Sequence, residues 1–152
     1  MLISVKDKEN LLPFNVWSGT EYLKNTNGFT ASNLTMDSSK EWSSNGDYSL
    51  QVTTLINNYA RVEFIDNIPA LKDETYVGSV DIFNNSNNNI ILRFVENTNI
   101  LVQDIIIPSS NSMQTISITR TIISDSTNLR FQLVFRNAMT IYVDNISLIR
   151  VS

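Results

Sequence analysis

The chain has 152 residues, 42% hydrophobic and 17% charged, a globular composition able to fill one core, whole or as part of a longer chain. A formal charge of -4, with eleven scattered Lys and Arg, excludes the basic footprint of a nucleic-acid binder, and no apolar run reaches the roughly 20 residues of a membrane span. The absence of His and Cys removes Ser-His and Cys-His nucleophiles, imidazole and thiolate metal sites, and disulfides.

The opening residues, "MLISVKDKEN", read as a first strand and hold no stretch of signal-peptide length. From 13 to 47 the pattern is less regular: "FTASNLTMD" at 29 predicts a strand, while "WSGTEYLKNTNG" and "SSKEWSSNG" predict loops. Strands then follow in quick succession: "YSLQVTT" at 48, "YARVEFI" at 59, "TYVGSVDIF" at 75, "NIILRFV" at 89, "ILVQDIII" at 100, "MQTISITR" at 113 and "LRFQLVF" at 129. Each combines β-branched and aromatic residues with a period of two. The clusters between them, "NNSNNN", "ENTN", "PSSNS" and "SDSTN", are too short for crossover helices, so neighbouring strands should pair antiparallel in a sandwich.

Alternation sorts these strands into faces. The apolar sets are Ala60, Val62 and Phe64; Tyr76, Val80 and Ile82; Ile90, Leu92 and Phe94; and Leu129, Phe131, Leu133 and Phe135. The outward sets then hold Arg61, Glu63, Asp81, Arg93, Gln132 and Arg136, which are candidates to line one ligand groove, with Tyr59 or Phe83 supplying a stacking ring. The same charges read equally well as salt bridges across a sheet face. A second candidate surface is loop-borne: Trp17, Tyr22, Phe29 and Trp42 lie in the irregular early segment, where one of the two Trp is expected exposed and the other in the core.

Catalysis would need two carboxylates, and Glu63 with Asp81 on neighbouring strands would fall within the roughly 5 to 10 Å that glycosidase pairs occupy. An Arg in the same layer, Arg61 or Arg93, opposes the protonated acid that such chemistry requires, so no enzyme is expected. In the final strand, "IYVDNISLIRV" at 141, strict alternation puts Tyr142, Asp144, Ile146 and Leu148 on one face. A carboxylate in register with residues that want burial needs a cation, or else backbone N–H groups or an Arg at a bulge.

Taken in order, "NLLPFNVWSGT" at 10, "GDYSLQV" at 46, "TYVGSVDIF" at 75 and "YVDNISLIRV" at 142 resemble the landmarks of non-catalytic carbohydrate-binding modules of the galactose-binding-like type. The resemblance is to the group that includes the xylan- and β-glucan-binding modules of bacterial glycoside hydrolases; related domains occur in adhesins and phage tail proteins. It implies an all-β, two-sheet antiparallel β-sandwich of the jelly-roll kind over 1–152, a lectin-like module for a polysaccharide or glycan, and life outside the cell or on a cell or virion surface. Other domains of a longer chain or assembly are the implied protein partners, and a structural or adhesion role is the alternative. The resemblance also implies a structural calcium, with Asp144 as ligand and carbonyls near Asp47 filling part of a shell of roughly six to eight oxygens. Two departures stand out: "FNVWSG" lacks the acid of the usual "F-E" pair, which weakens that ligand set, and "LKDETY" lacks the usual Gly.

Overall fold

Gly78 shows how closely the two layers of this fold approach. A Cβ built on it would lie 2.5 Å from Cζ of Phe131, a side chain of the opposite sheet, so only a glycine fits beneath that ring. The structure is a computed structural model and describes residues 10–12, 29–55 and 59–152. Among these there are ten strands and no helix. The first sheet runs in the order β1 (Thr30–Ser32), β4 (Ala60–Leu71), β9 (Ser126–Phe135), β6 (Ile90–Glu96) and β7 (Leu101–Ile107). The second runs β2 (Leu34–Ser39), β3 (Ser49–Thr54), β10 (Met139–Arg150), β5 (Thr75–Phe83) and β8 (Gln114–Thr121). Every pairing is antiparallel, and the chain passes repeatedly from one sheet to the other, as in a β-sandwich.

The apolar sets derived from alternation fill the space between the sheets. Val62, Phe64, Leu92, Phe94, Phe131 and Leu133 come from the first sheet and meet Val52, Val80, Ile82, Ile141 and Leu148 of the second, all essentially without exposure. Phe131 lies at the centre, 5.1 Å from Phe64 and 5.0 Å from Phe94 between ring centroids. Each such ring contributes about 1.5–3 kcal/mol by leaving water. Phe29, expected among the loop aromatics, is a core residue instead, buried with its ring edge-on to Phe64 at 6.2 Å.

Two elements differ from expectation for local reasons. "FTASNLTMD" is not one strand, because Asn33 adopts φ 63°, a left-handed conformation that Asn tolerates, and the chain changes sheets there. The Asn33 Nδ2 donates to the Tyr59 carbonyl at 2.9 Å and ties the corner down. β4 runs on to Leu71 through two register shifts, past Pro69. That proline is tolerated because β1 covers only positions 61 to 63 of β4, leaving the rest of that side an edge.

The final strand resolves the register of Asp144. Opposite β5, Asp144 pairs with Asp81 and Ser147 with Ser79, three steps on one strand against two on the other. Asn145, at φ 49°, accompanies this bulge. Inward positions are therefore Met139, Ile141 and Val143 before it, and Ile146 and Leu148 after it. The expectation that Asp144 shares a face with Ile146 and Leu148 is corrected: the bulge reverses parity between them. β3 stops pairing at Val143, and beyond it the "NLL" segment docks, with Leu11 N–H donating to Leu148 O at 2.7 Å and Asn10 Nδ2 to Ile146 O at 3.1 Å.

Candidate functional site

The outer face of the first sheet collects six of the ten sequence-selected ligand-binding residues. Strand register sets Glu63, Gln132, Arg93 and Asp104 in one row across β4, β9, β6 and β7. Arg61, Val134, Ile91 and Ile106 form the next row, and Arg130, Val95 and Val102 lie on the other side. The first row is closed by charge. Glu63, only 6% exposed, accepts from Gln132 Nε2 at 3.1 Å and pairs with Arg61 at 3.1 Å and with Arg130. Arg93 grips Asp104 with Nε at 2.7 Å and Nη2 at 2.9 Å, the two-pronged geometry that makes Arg–carboxylate contacts strong. That hydrogen bond, against the opposing effect of burial, holds the Arg93 guanidinium above its ordinary value, with Asp104 and Tyr59 adding to it.

The second row is open. Val134, Ile91 and Ile106 form the floor of a cleft of about 410 Å³ whose lining is completed by Asn87, Asn88, Asn89, Arg136 and Asn137. Because Ile91 pairs with Val134, the residues before β6 and those after β9 come from the same end of the sheet. The Arg136 guanidinium lies over the Tyr59 ring at 5.7 Å, a cation–π contact. The asparagine wall is shaped from within by Asn84, which is fully buried. Its Nδ2 donates to Asn88 O at 2.9 Å, and its Oδ1 accepts from Ser86 N at 3.2 Å and Ser86 Oγ at 2.5 Å. The Asn-rich run is thus a self-bonded turn that holds three amides at the rim.

The remaining candidates separate from this face. Asp81 and Phe83 belong to β5 in the second sheet, so the expectation of one groove shared with Arg61, Glu63 and Arg93 is corrected, and so is that of Glu63 and Asp81 as neighbours. Alternation had set them outward correctly but does not say on which sheet. Trp42 is half-buried and stacks on Phe83 at 5.8 Å and 23°, with Tyr142 against Phe83 at 6.5 Å. Tyr142 donates to Glu41 Oε2 at 3.0 Å; burial first, then Glu41, pushes its hydroxyl above the usual value. Asp81 accepts from Thr115 Oγ1 at 2.6 Å and Asn145 Nδ2 at 3.3 Å. Trp17 and Tyr22 lie outside the described residues.

Asp144 meets a cage of donors. Its Oδ2 accepts from Ser44 N at 3.0 Å and Asn45 N at 2.9 Å, and its Oδ1 from its neighbour Asn145 N at 2.9 Å. N–H groups converging on a carboxylate compensate an anion and do not ligate a cation. Asp47 is exposed on the adjoining turn, and among the described residues no group of three or more acidic side chains converges for a metal. The Asp144 carboxylate is thus met by N–H groups, and binding is derived without calcium.

Sequence reasoning missed the cleft's floor as a feature, although Ile91 and Val134 were visible as apolar interruptions of an otherwise polar outward pattern. It also missed Asp104, Arg130, Asn137 and the amide wall, because their roles depend on which strands become neighbours.

No family model and no curated protein matches the sequence. Solved structures match it by fold. One, on the promiscuous specificity of carbohydrate-binding modules from the β-sandwich superfamily, is 16% identical, with TM-score 0.64, and covers 93% of this chain; this chain spans 62% of that one. TmCBM61 in complex with β-1,4-galactotriose is 11% identical, with TM-score 0.67, over 93% of this chain and 99% of that chain. The enzymatically active domain of bacteriophage CBA120 tailspike protein 4 is 14% identical, with TM-score 0.65, over 93% of this chain and 21% of that chain. At these identities the likeness shows the fold alone, a β-sandwich.

Proposed function

We propose that this protein binds a polysaccharide or glycan without cleaving it, seating the sugar chain in the cleft on the outer face of the first sheet. The carrying observation is the composition of that cleft: an aliphatic floor edged by planar hydrogen-bonding groups, the Asn amides and the Arg136 guanidinium. A pyranose has an apolar C–H face and a rim of hydroxyls, and this arrangement answers both, with Asn amides able to donate and accept at once. Its volume of about 410 Å³ falls within the range of small-ligand sites and suits a few sugar units of a longer chain.

Cleavage finds no support. Among the described residues the cleft lining contains no carboxylate, and Glu63 and Asp81 sit on different sheets with the core between them. The protein acts, on this reading, as a recognition module outside the cell or on a cell or virion surface, attached to other domains or to an assembly. Screening against plant, microbial and host polysaccharides, followed by isothermal titration on each hit, tests it. Binding weakened at least tenfold by Asn88→Ala, with the melting temperature held, is the expected result. Absence of binding across the whole panel would overturn the reading in favour of a structural or adhesion domain making protein contacts.

A further inference from the structure

We infer that the saccharide taken by this cleft is acidic, a chain bearing carboxylates such as uronic acids, and that Arg136 is the residue that reads the carboxylate. The inference rests on the saccharide reading above and adds the charge of the ligand. It starts from an accounting of the arginines. The chain has six, and five are in ion pairs: Arg61 and Arg130 with Glu63, Arg93 with Asp104, Arg120 with Glu96 and Arg150 with Glu74. Arg136 alone makes no ion pair among the described residues; it is exposed and rests on the Tyr59 ring.

The position of this cation is as informative as its isolation. Among the described residues Arg136 is the single charged one lining the cleft, the others being amides and aliphatic side chains. Among the described side chains on the outer face of the first sheet, Arg61, Arg93, Arg130 and Arg136 face Glu63 and Asp104, a surplus of two positive charges on a chain whose formal charge is -4. A locally positive surface on an acidic protein steers anions toward that face and away from the rest. The contact with Tyr59 tethers the guanidinium, and among the described residues none accepts a hydrogen bond from it, so its N–H fork can meet the two oxygens of a carboxylate. A neutral sugar would need only amides at this rim, and the cleft already has them.

The test uses the whole chain and a panel of carboxylated polysaccharides, each beside its carboxyl-reduced, neutral form, with a sulfated polymer as a third arm. Isothermal titration at low and high salt should show the acid form bound about tenfold more tightly than its neutral counterpart in at least one pair, the equivalent of roughly 1.4 kcal/mol. That advantage should shrink with salt. Arg136→Gln should bring the two forms within about twofold while leaving the melting temperature unchanged, and Arg136→Lys should keep part of the preference, since it retains charge without the fork. Equal or weaker binding of every acid form, or a preference that survives Arg136→Gln, would overturn the inference while leaving neutral saccharide binding intact. Tighter binding of the sulfated polymer than of any carboxylated one would overturn the carboxylate assignment, and binding of no polymer would overturn the saccharide reading with it.

Discussion

The outer faces of the two sheets are built on the same plan and finished in opposite ways. Each has a row of outward side chains drawn across four strands: Glu63, Gln132, Arg93 and Asp104 on the first, and Asp37, Gln51, Tyr142 and Phe83 on the second. On the first sheet the charges satisfy one another side chain to side chain, and the surface beside them stays uncovered. On the second, a loop folds over the sheet: Trp42 lies on Phe83, Glu41 takes the Tyr142 hydroxyl, and the turn at Ser44 and Asn45 donates to Asp144. A polar row that closes on itself leaves room for a ligand; on the second sheet the loop covers the Tyr142 and Phe83 end of the row, and a smaller hollow of about 200 Å³ stays open around Asp37 and Gln51.

The sharpest way to break this contrast is Asp144→Ala. It strands the N–H donors of a partly buried turn, and a loss of about 2 kcal/mol in denaturant unfolding is expected, with saccharide affinity unchanged. Because N–H donors already compensate the carboxylate, EDTA should leave the wild-type melting temperature where it was; a fall on chelation would reassign the site to calcium. Trp42→Ala removes one partner of a half-buried stacked pair and should lower stability by about 1 kcal/mol, again without touching saccharide affinity. If affinity fell with it, the second face would belong to the binding surface and the contrast would fail. Smallest is the effect of Tyr142→Phe. The folded-state pKa of Tyr142 is raised above the ordinary 10.0, so its contribution is present below that value and lost as pH rises through the folded pKa. The variant should flatten the alkaline end of the stability profile and leave pH 7 little changed.

Much of this could be read directly from residue order. The span of β5 was legible to the residue, and the inward sets of β4, β5, β6 and β9 follow from a period of two alone. Alternation says which side of a strand a residue takes, but not which sheet that strand joins, and so Asp81 was grouped with Glu63. Parity along β10 held a signal that strict counting overrode: Ile141 and Val143 are odd, Ile146 and Leu148 even, and one extra residue between them reconciles all four. The cleft was the least legible part, since its floor joins the β6–β7 hairpin to β9, a strand further along the chain. Its amide wall depends on a buried Asn that looks, in sequence, like every other Asn in its run.

That buried Asn84 separates the part of the 84–89 turn that must be kept from the part that can change. Its side chain closes the turn on Ser86 and on the Asn88 carbonyl, a main-chain group that any residue supplies. The side chains at 87, 88 and 89 face the cleft and are not what Asn84 grips. The turn therefore works as a clamped cassette: its rim can be rewritten, by selection in nature or by a library at the bench, to retune ligand preference on an unaltered frame.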